Sequence, residues 1–286
     1  MPTPPSTSPR ADHTLDLPGG RTLAFAEWGD PAGKPVLLLH RSPGSRLFDP
    51  GPDATAAVRL ITVDRPGYGG TDPVAEPSFS AVAADLTALA QALDLTDVAL
   101  VGWSGGGQFA LASLPALADR LASLTLIVTP APDEAIPWYP EESRPMLPAV
   151  RADPVGALPS VAEGFEPMMA EPDALATSDP SPADADTRAQ PGVLQAYTAM
   201  MREAGRQKGA GMAFDLVAGA RDDRLPLDAV NVPARLWYGA GDEYIKFEHG
   251  RWYAKRIAGS RLNEVEGAGH LLPVLRWREI LALESR

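Results

Sequence analysis

Val98-Ala99-Leu100-Val101-Gly102-Trp103-Ser104-Gly105-Gly106-Gly107-Gln108 is the stretch from which the fold is read. An apolar run short enough for a buried strand leads into Gly-x-Ser-x-Gly, and a helical pattern follows over residues 108–118. A serine placed on so sharp a strand-to-helix turn adopts a strained backbone, and flanking glycines remove the Cβ atoms that would clash with it. The five-residue pattern recurs by chance at this glycine content. Its strand-turn-helix setting is what makes it informative.

Outward from this turn, further apolar runs occur at residues 36–39, 60–63, 124–128 and 235–238, with helical patterns between them. That alternation predicts a mostly parallel sheet covered on both faces. Val82, Leu86, Leu89 and Leu93 fall on one face of a crossover helix, with Ser78 or Ser80 as its N-cap. Residues 133–228 break the alternation as proline and alanine rise, so they are read as an inserted, largely helical cap. The core is then residues 11–132 and 229–286. Within the cap, residues 171–192 read as a polar loop. Residues 193–207 read as an amphipathic helix with Leu194, Tyr197, Met200 and Met201 on one face. Every methionine except the first lies in the cap, which suits either the filling of an irregular core or an adaptable binding surface.

Composition narrows the function. The 286 residues, 45% hydrophobic, support one sizeable core. With 25 basic and 37 acidic residues the formal charge is -12, which disfavours nucleic acid and anionic membrane surfaces as partners and leaves a small-molecule substrate. Oligomeric state is left open. Cysteine is absent, so covalent catalysis requires another side chain. The four histidines show no zinc-motif spacing, and no carboxylate cluster has the calcium-loop pattern, so no metal is expected. The pairs Gly239/Gly241 and Gly267/Gly269 lack the third glycine of a dinucleotide fingerprint, so no cofactor is expected either. Residues 1–10 read as a short disordered lead without the features of a targeting signal. No apolar run approaches the roughly 20 residues that span a bilayer. A cytoplasmic location is the expectation.

A serine hydroxyl is a weak nucleophile that needs a base, and the base needs a partner to fix its tautomer. Asp242 follows the run at 235–238 through Gly239-Ala240-Gly241, and His270 follows Glu264-Val265-Glu266-Gly267-Ala268-Gly269. Both sit just past a strand, at the end where a parallel sheet places its site. Asp133, close behind residues 124–128, is the rival for the acid. His40 is assigned a structural hydrogen-bonding role, His249 a surface position in a helix over residues 247–257, and Asp64 and Arg65 a structural pair.

With His40-Arg41-Ser42-Pro43-Gly44 and Asp64-Arg65-Pro66-Gly67-Tyr68-Gly69 added, the chain resembles the α/β-hydrolase superfamily over nearly its whole length, in the branch with a helical cap after the sixth strand. The resemblance implies a triad of Ser104, Asp242 and His270. It also implies an oxyanion hole from the backbone N–H groups of Arg41 and Gly105, with arginine at 41 where glycine is common. The Arg41 side chain is left between a structural role and a pocket role. Serine rather than aspartate at the elbow implies acyl transfer, so the expected activity is a serine hydrolase acting on an ester or lactone. Its apolar portion would lie among Trp103, Trp138, Tyr139, Phe165, Met168, Met200 and Phe214. Three alternatives stay open: a peptidase removing N-terminal proline, with Glu163, Glu166 and Glu171 as readers of the amine; a cyclase or lyase; and a ligand receptor that scarcely turns over.

Overall fold

Strands form where apolar runs can be covered on both sides. The computed structural model describes residues 9–48, 51–178, 181–221 and 224–284. In chain order these form β1 (Ala11–Asp16), β2 (Thr22–Gly29), β3 (Lys34–Leu39), α1 (Pro52–Thr55), β4 (Val58–Val63), α2 (Phe79–Ala92), β5 (Val98–Trp103), α3 (Gly105–Leu117) and β6 (Leu121–Ile127). Six helices follow: α4 (Leu147–Ala152), α5 (Pro154–Met169), α6 (Pro172–Thr177), α7 (Pro182–Arg188), α8 (Val193–Ala204) and α9 (Ala210–Arg221). The chain then returns to β7 (Ala234–Gly239), α10 (Phe247–Ala254), β8 (Arg261–Val265) and α11 (Leu272–Glu284).

The sheet runs β1-β2-β4-β3-β5-β6-β7-β8. β2 pairs antiparallel with both β1 and β4, and all later pairings are parallel. All six residues of β5 are buried, as a central parallel strand requires. Ser78 caps α2 by accepting from the Ala81 N–H at 3.2 Å, and Val82, Leu86 and Leu89 are buried beneath the helix. No helix among the described residues is long and apolar enough to cross a membrane.

Several expectations need correction. Residues 1–8 of the expected lead lie outside the described residues, and Arg10 is tied to Glu27 at 2.7 Å. Residues 171–192 contain α6 and α7 rather than a loop, because Pro172 and Pro182 each occupy the first helical turn, where a missing N–H costs nothing. On α8 the buried stripe is Val193, Ala196, Tyr197, Met200, Met201 and Ala204, at three- and four-residue steps, and Leu194 is turned out to solvent. His249 is buried rather than exposed, and its Nδ1 accepts from the Ala131 N–H at 2.9 Å. The helix carrying it ends at Ala254, and its inner face is His249, Gly250 and Tyr253.

The last helix is pinned by its final described residue. Glu284 is buried and accepts from Ser123 Oγ, from Thr125 Oγ1 at 2.6 Å and from Arg235 at 3.0 Å. Glu284→Ala strands three donors, and we expect about 3 kcal/mol of lost stability, read as a lower urea unfolding midpoint.

Candidate active site

Ser104 stands between the last residue of β5 and the first of α3 with φ 56° and ψ -128°, a conformation that non-glycine residues adopt only under constraint. Its N–H donates to the Ile127 carbonyl of the neighbouring strand at 2.8 Å, and its carbonyl accepts from the Gly107 N–H at 2.9 Å. A Cβ at Gly106 would lie against the carbonyl oxygens of Leu39 and His40. Glycine there lets the helix start approach the end of β3.

His270 Nε2 lies 3.0 Å from Ser104 Oγ, and His270 Nδ1 lies 2.9 Å from Asp242 Oδ2. The other carboxylate oxygen, Oδ1, accepts from the N–H groups of Tyr244 and Ile245, each at 2.8 Å. Asp242 held this way accepts the Nδ1–H of the ring and leaves the Nε2 lone pair facing the serine. All three residues are buried. Asp133 is engaged elsewhere: its Oδ1 accepts from the N–H groups of Trp138 and Tyr139 at 2.7 and 2.9 Å, and it pairs with Arg144 at 3.3 Å.

The loop carrying Arg41 is held from below by Arg65. Its guanidinium donates to the His40 carbonyl, to the Arg41 carbonyl at 3.4 Å and to Ser42 Oγ at 2.9 Å. Arg65 does not pair with Asp64, contrary to expectation. Asp64 bonds Arg46 at 2.6 Å, while the buried Arg65 pairs with Asp215 of α9 at 2.6 and 3.0 Å. Asp215 also accepts from Tyr68 Oη at 2.7 Å and from Ser42 Oγ at 2.5 Å. Burial opposes the charge on Arg65, yet the Asp215 carboxylate holds its pKa above arginine's ordinary value. Burial, reinforced by that carboxylate, pushes Tyr68 well above the tyrosine range. His40 bonds the Arg41 carbonyl through Nδ1 at 2.6 Å and accepts from the Arg65 N–H at Nε2, 3.3 Å away. Burial and then the nearby Arg65 charge hold His40 well below the usual histidine pKa, so it is neutral in its structural role.

Ser104, Gly105 and Arg41 open onto a cavity of about 240 Å³. Trp138, Tyr139, Phe165 and Met168 line it, together with Met201, Met212, Asp215 and Leu216. Trp103, Met200 and Phe214, expected in the lining, do not reach it. Trp103 is buried with its indole N–H on the His270 carbonyl at 3.1 Å, and Phe214 stacks on Phe109 with ring centroids 5.7 Å apart. Met200 is fully buried in the hydrophobic core, and its neighbour Met201 takes the cavity position. Helix phase decides the cases of Met200 and Phe214: successive residues turn by about 100°, so the hydrophobic neighbour of a lining residue faces the core instead. The Arg41 guanidinium donates to Tyr197 Oη and lies 5.8 Å from the Trp103 ring centroid, against the cavity wall. Tyr244, half exposed at the cavity, meets the His270 ring edge-on at 5.7 Å. Glu163, Glu166 and Glu171 do not line the cavity, and Glu166 pairs with Lys208 at 2.7 Å.

Two functional candidates have no motif in the sequence. Asp215 anchors Arg65, and Asp184 of α7 accepts from the N–H groups of His270 and Leu271 at 2.6 and 2.7 Å. Neither carboxylate lies near its partner in the chain, so no spacing rule reaches them. No group of three or more side chains able to hold a metal ion occurs among the described residues.

A family model described as the alpha/beta hydrolase family matches residues 17–283. The chain is 31% identical over 231 residues to a pimeloyl-[acyl-carrier protein] methyl ester esterase of Aromatoleum aromaticum, covering 77% of this chain and 83% of the relative. It is also 31% identical over 254 residues to the protein of that name from Neisseria meningitidis serogroup C, covering 88% and 91%. A crystal structure of a bromoperoxidase from Bacillus anthracis superposes with a TM-score of 0.70 at 23% identity, covering 96% of this chain and 99% of that one, which is a likeness of fold.

A histidine whose folded pKa is depressed leaves stability intact above its unfolded value and removes it as pH falls from there toward the folded value. His40 has an ordinary value of 6.5, so its contribution to stability fades below about that pH. His40→Gln is expected to flatten the fall in urea midpoint between about pH 7.5 and about pH 5 relative to wild type.

Proposed function

The chain belongs to the alpha/beta hydrolase family, and we propose that it is a serine esterase that cleaves small, partly apolar carboxylic esters, lactones included, through an acyl-enzyme on Ser104. The observation that carries this reading is the unbroken chain from Asp242 through His270 to Ser104, with separations of 2.9 and 3.0 Å, opening onto a cavity walled by the cap. The esterase names of its relatives support the substrate class.

In this reading Ser104 Oγ attacks the ester carbonyl as His270 Nε2 takes its proton, and Asp242 stabilises the imidazolium that forms. The carbonyl oxygen becomes an anion opposite the N–H groups of Gly105 and Arg41, each such donor lowering the barrier by about 3 kcal/mol. Arg65, gripping the His40 and Arg41 carbonyls, keeps the Arg41 N–H aimed. The His270 proton passes to the departing alcohol. Water, deprotonated by the same Nε2, then clears the acyl group, which lies against Phe165, Met168 and Met212. The cap glutamates lie away from the cavity, so the amine recognition of an N-terminal-proline peptidase has no support from them.

Ser104→Ala and His270→Ala are expected to lower p-nitrophenyl ester hydrolysis by about four orders of magnitude or more. A fluorophosphonate should add one covalent label to wild type and none to Ser104→Ala, as read by intact mass. Hydrolysis at an undiminished rate in Ser104→Ala would overturn the reading. Across acyl chains, kcat/KM should climb about fourfold per added methylene, at about 0.8 kcal/mol each, and level off once the chain outgrows the cavity.

A further inference from the structure

The cap segment that includes α7 lies on the two turns that carry the acid and the base. Asp184 is completely buried, and its two oxygens separately accept the main-chain N–H groups of His270 and Leu271 at 2.6 and 2.7 Å. The surrounding chain is shaped for this contact. A Cβ on Gly269 would come within 2.5 Å of Asp184 Oδ2, so only a glycine before the histidine leaves the carboxylate its place. One residue before Asp242, the Gly241 carbonyl accepts from Ser181 Oγ at 2.7 Å, and a Cβ on Gly241 would come within 3.2 Å of Ala183 Cβ. On its other side, the His270 carbonyl takes the Trp103 indole N–H at 3.1 Å. The main chain of the histidine is therefore gripped at its N–H by the cap and at its carbonyl by the residue preceding Ser104.

A bidentate carboxylate on two successive backbone N–H groups fixes peptide direction as well as distance, and charge-assisted bonds of this kind are the strong ones. The imidazole reaches Ser104 from a turn, the least rigid kind of mount, and a turn whose N–H groups are held by one side chain shifts when that side chain is lost. We propose that Asp184 is a positioning residue for His270: through the backbone of residues 270 and 271 it holds the imidazole at bonding distance from Ser104, and the cap is thereby part of the mounting of the base. This rests on His270 being the base, as in the function proposed above. A purely structural Asp184 would affect stability, whereas a positioning Asp184 affects turnover more than substrate binding.

Asp184→Asn keeps the volume and one acceptor but turns an NH2 group toward the second N–H. It is expected to lower kcat on a p-nitrophenyl ester by about tenfold or more with KM within about twofold, as a misplaced catalytic group does. Amide hydrogen exchange at His270 and Leu271, followed by mass spectrometry, should quicken while β5 and β6 stay protected. Gly269→Ala leaves the carboxylate in the protein but displaces it from its place, and should give the same split of kcat from KM, which covers the case in which Asp184→Asn does not fold. Repeating the exchange measurement in the Ser104→Ala background separates the two readings, because backbone protection does not depend on chemistry. Faster exchange there upholds Asp184 as the mount of residue 270 even if Ser104 proves not to be the nucleophile. Unchanged exchange at His270 and Leu271, or kcat unchanged in a folded Asp184→Asn protein, overturns the proposal.

Discussion

The left-handed backbone of Ser104 is the constraint on which the rest of the structure depends. A side chain at φ 56° is strained by roughly 1 to 3 kcal/mol and persists only when its surroundings leave no alternative. Here β6 supplies an acceptor for the Ser104 N–H, α3 turns back to bond its carbonyl, and the end of β3 crowds the helix start so closely that residue 106 has no side chain. The same crowding brings the loop of His40 and Arg41 beside Gly105. The strained turn and the candidate oxyanion loop are therefore one packing arrangement, and a change that relaxes one displaces the other.

The helical segment between β6 and β7 reaches into that arrangement with two carboxylates. Asp215 neutralises Arg65, which holds the loop of His40 and Arg41 by its carbonyls, and Asp184 holds the histidine turn by its N–H groups. Neither contact is an exposed ion pair of small value. A buried guanidinium deprived of its partner is costly, so α9 must meet the turn of Arg65 in one register for Arg65 to be tolerated at all. A cavity with apolar walls and a hydrogen-bonded floor follows from this seating.

What could be read in the sequence was whatever is written locally. Strands β3 to β6 are near-continuous apolar runs, and the three residues of the candidate triad each stand just past a strand in glycine-bounded turns. β1 could not be read this way, because an edge strand with four of six residues exposed or polar lacks the pattern. α6 and α7 were hidden by prolines that begin helices as readily as they break them. Of the three misplaced cavity residues, Met200 and Phe214 lie one position from residues that do line it, Met201 and Asp215, so there composition located the wall and helix phase decided the residue. The partner of Arg65 lies 150 positions away on α9 and that of His270 N–H lies 86 away on α7, and pairing over such distances is set by tertiary packing alone.

The central claim is that ester cleavage passes through a covalent bond to Ser104, and its most direct test is to catch that bond during turnover. Rapid mixing with a p-nitrophenyl ester, acid quenching within the first turnover and intact-mass analysis should show a species heavier by one acyl group. Peptide mapping should place that group on Ser104, and a burst of p-nitrophenol should accompany it. Turnover with no acylated species at any quench time and no burst, or acylation mapped to another residue, would contradict the account.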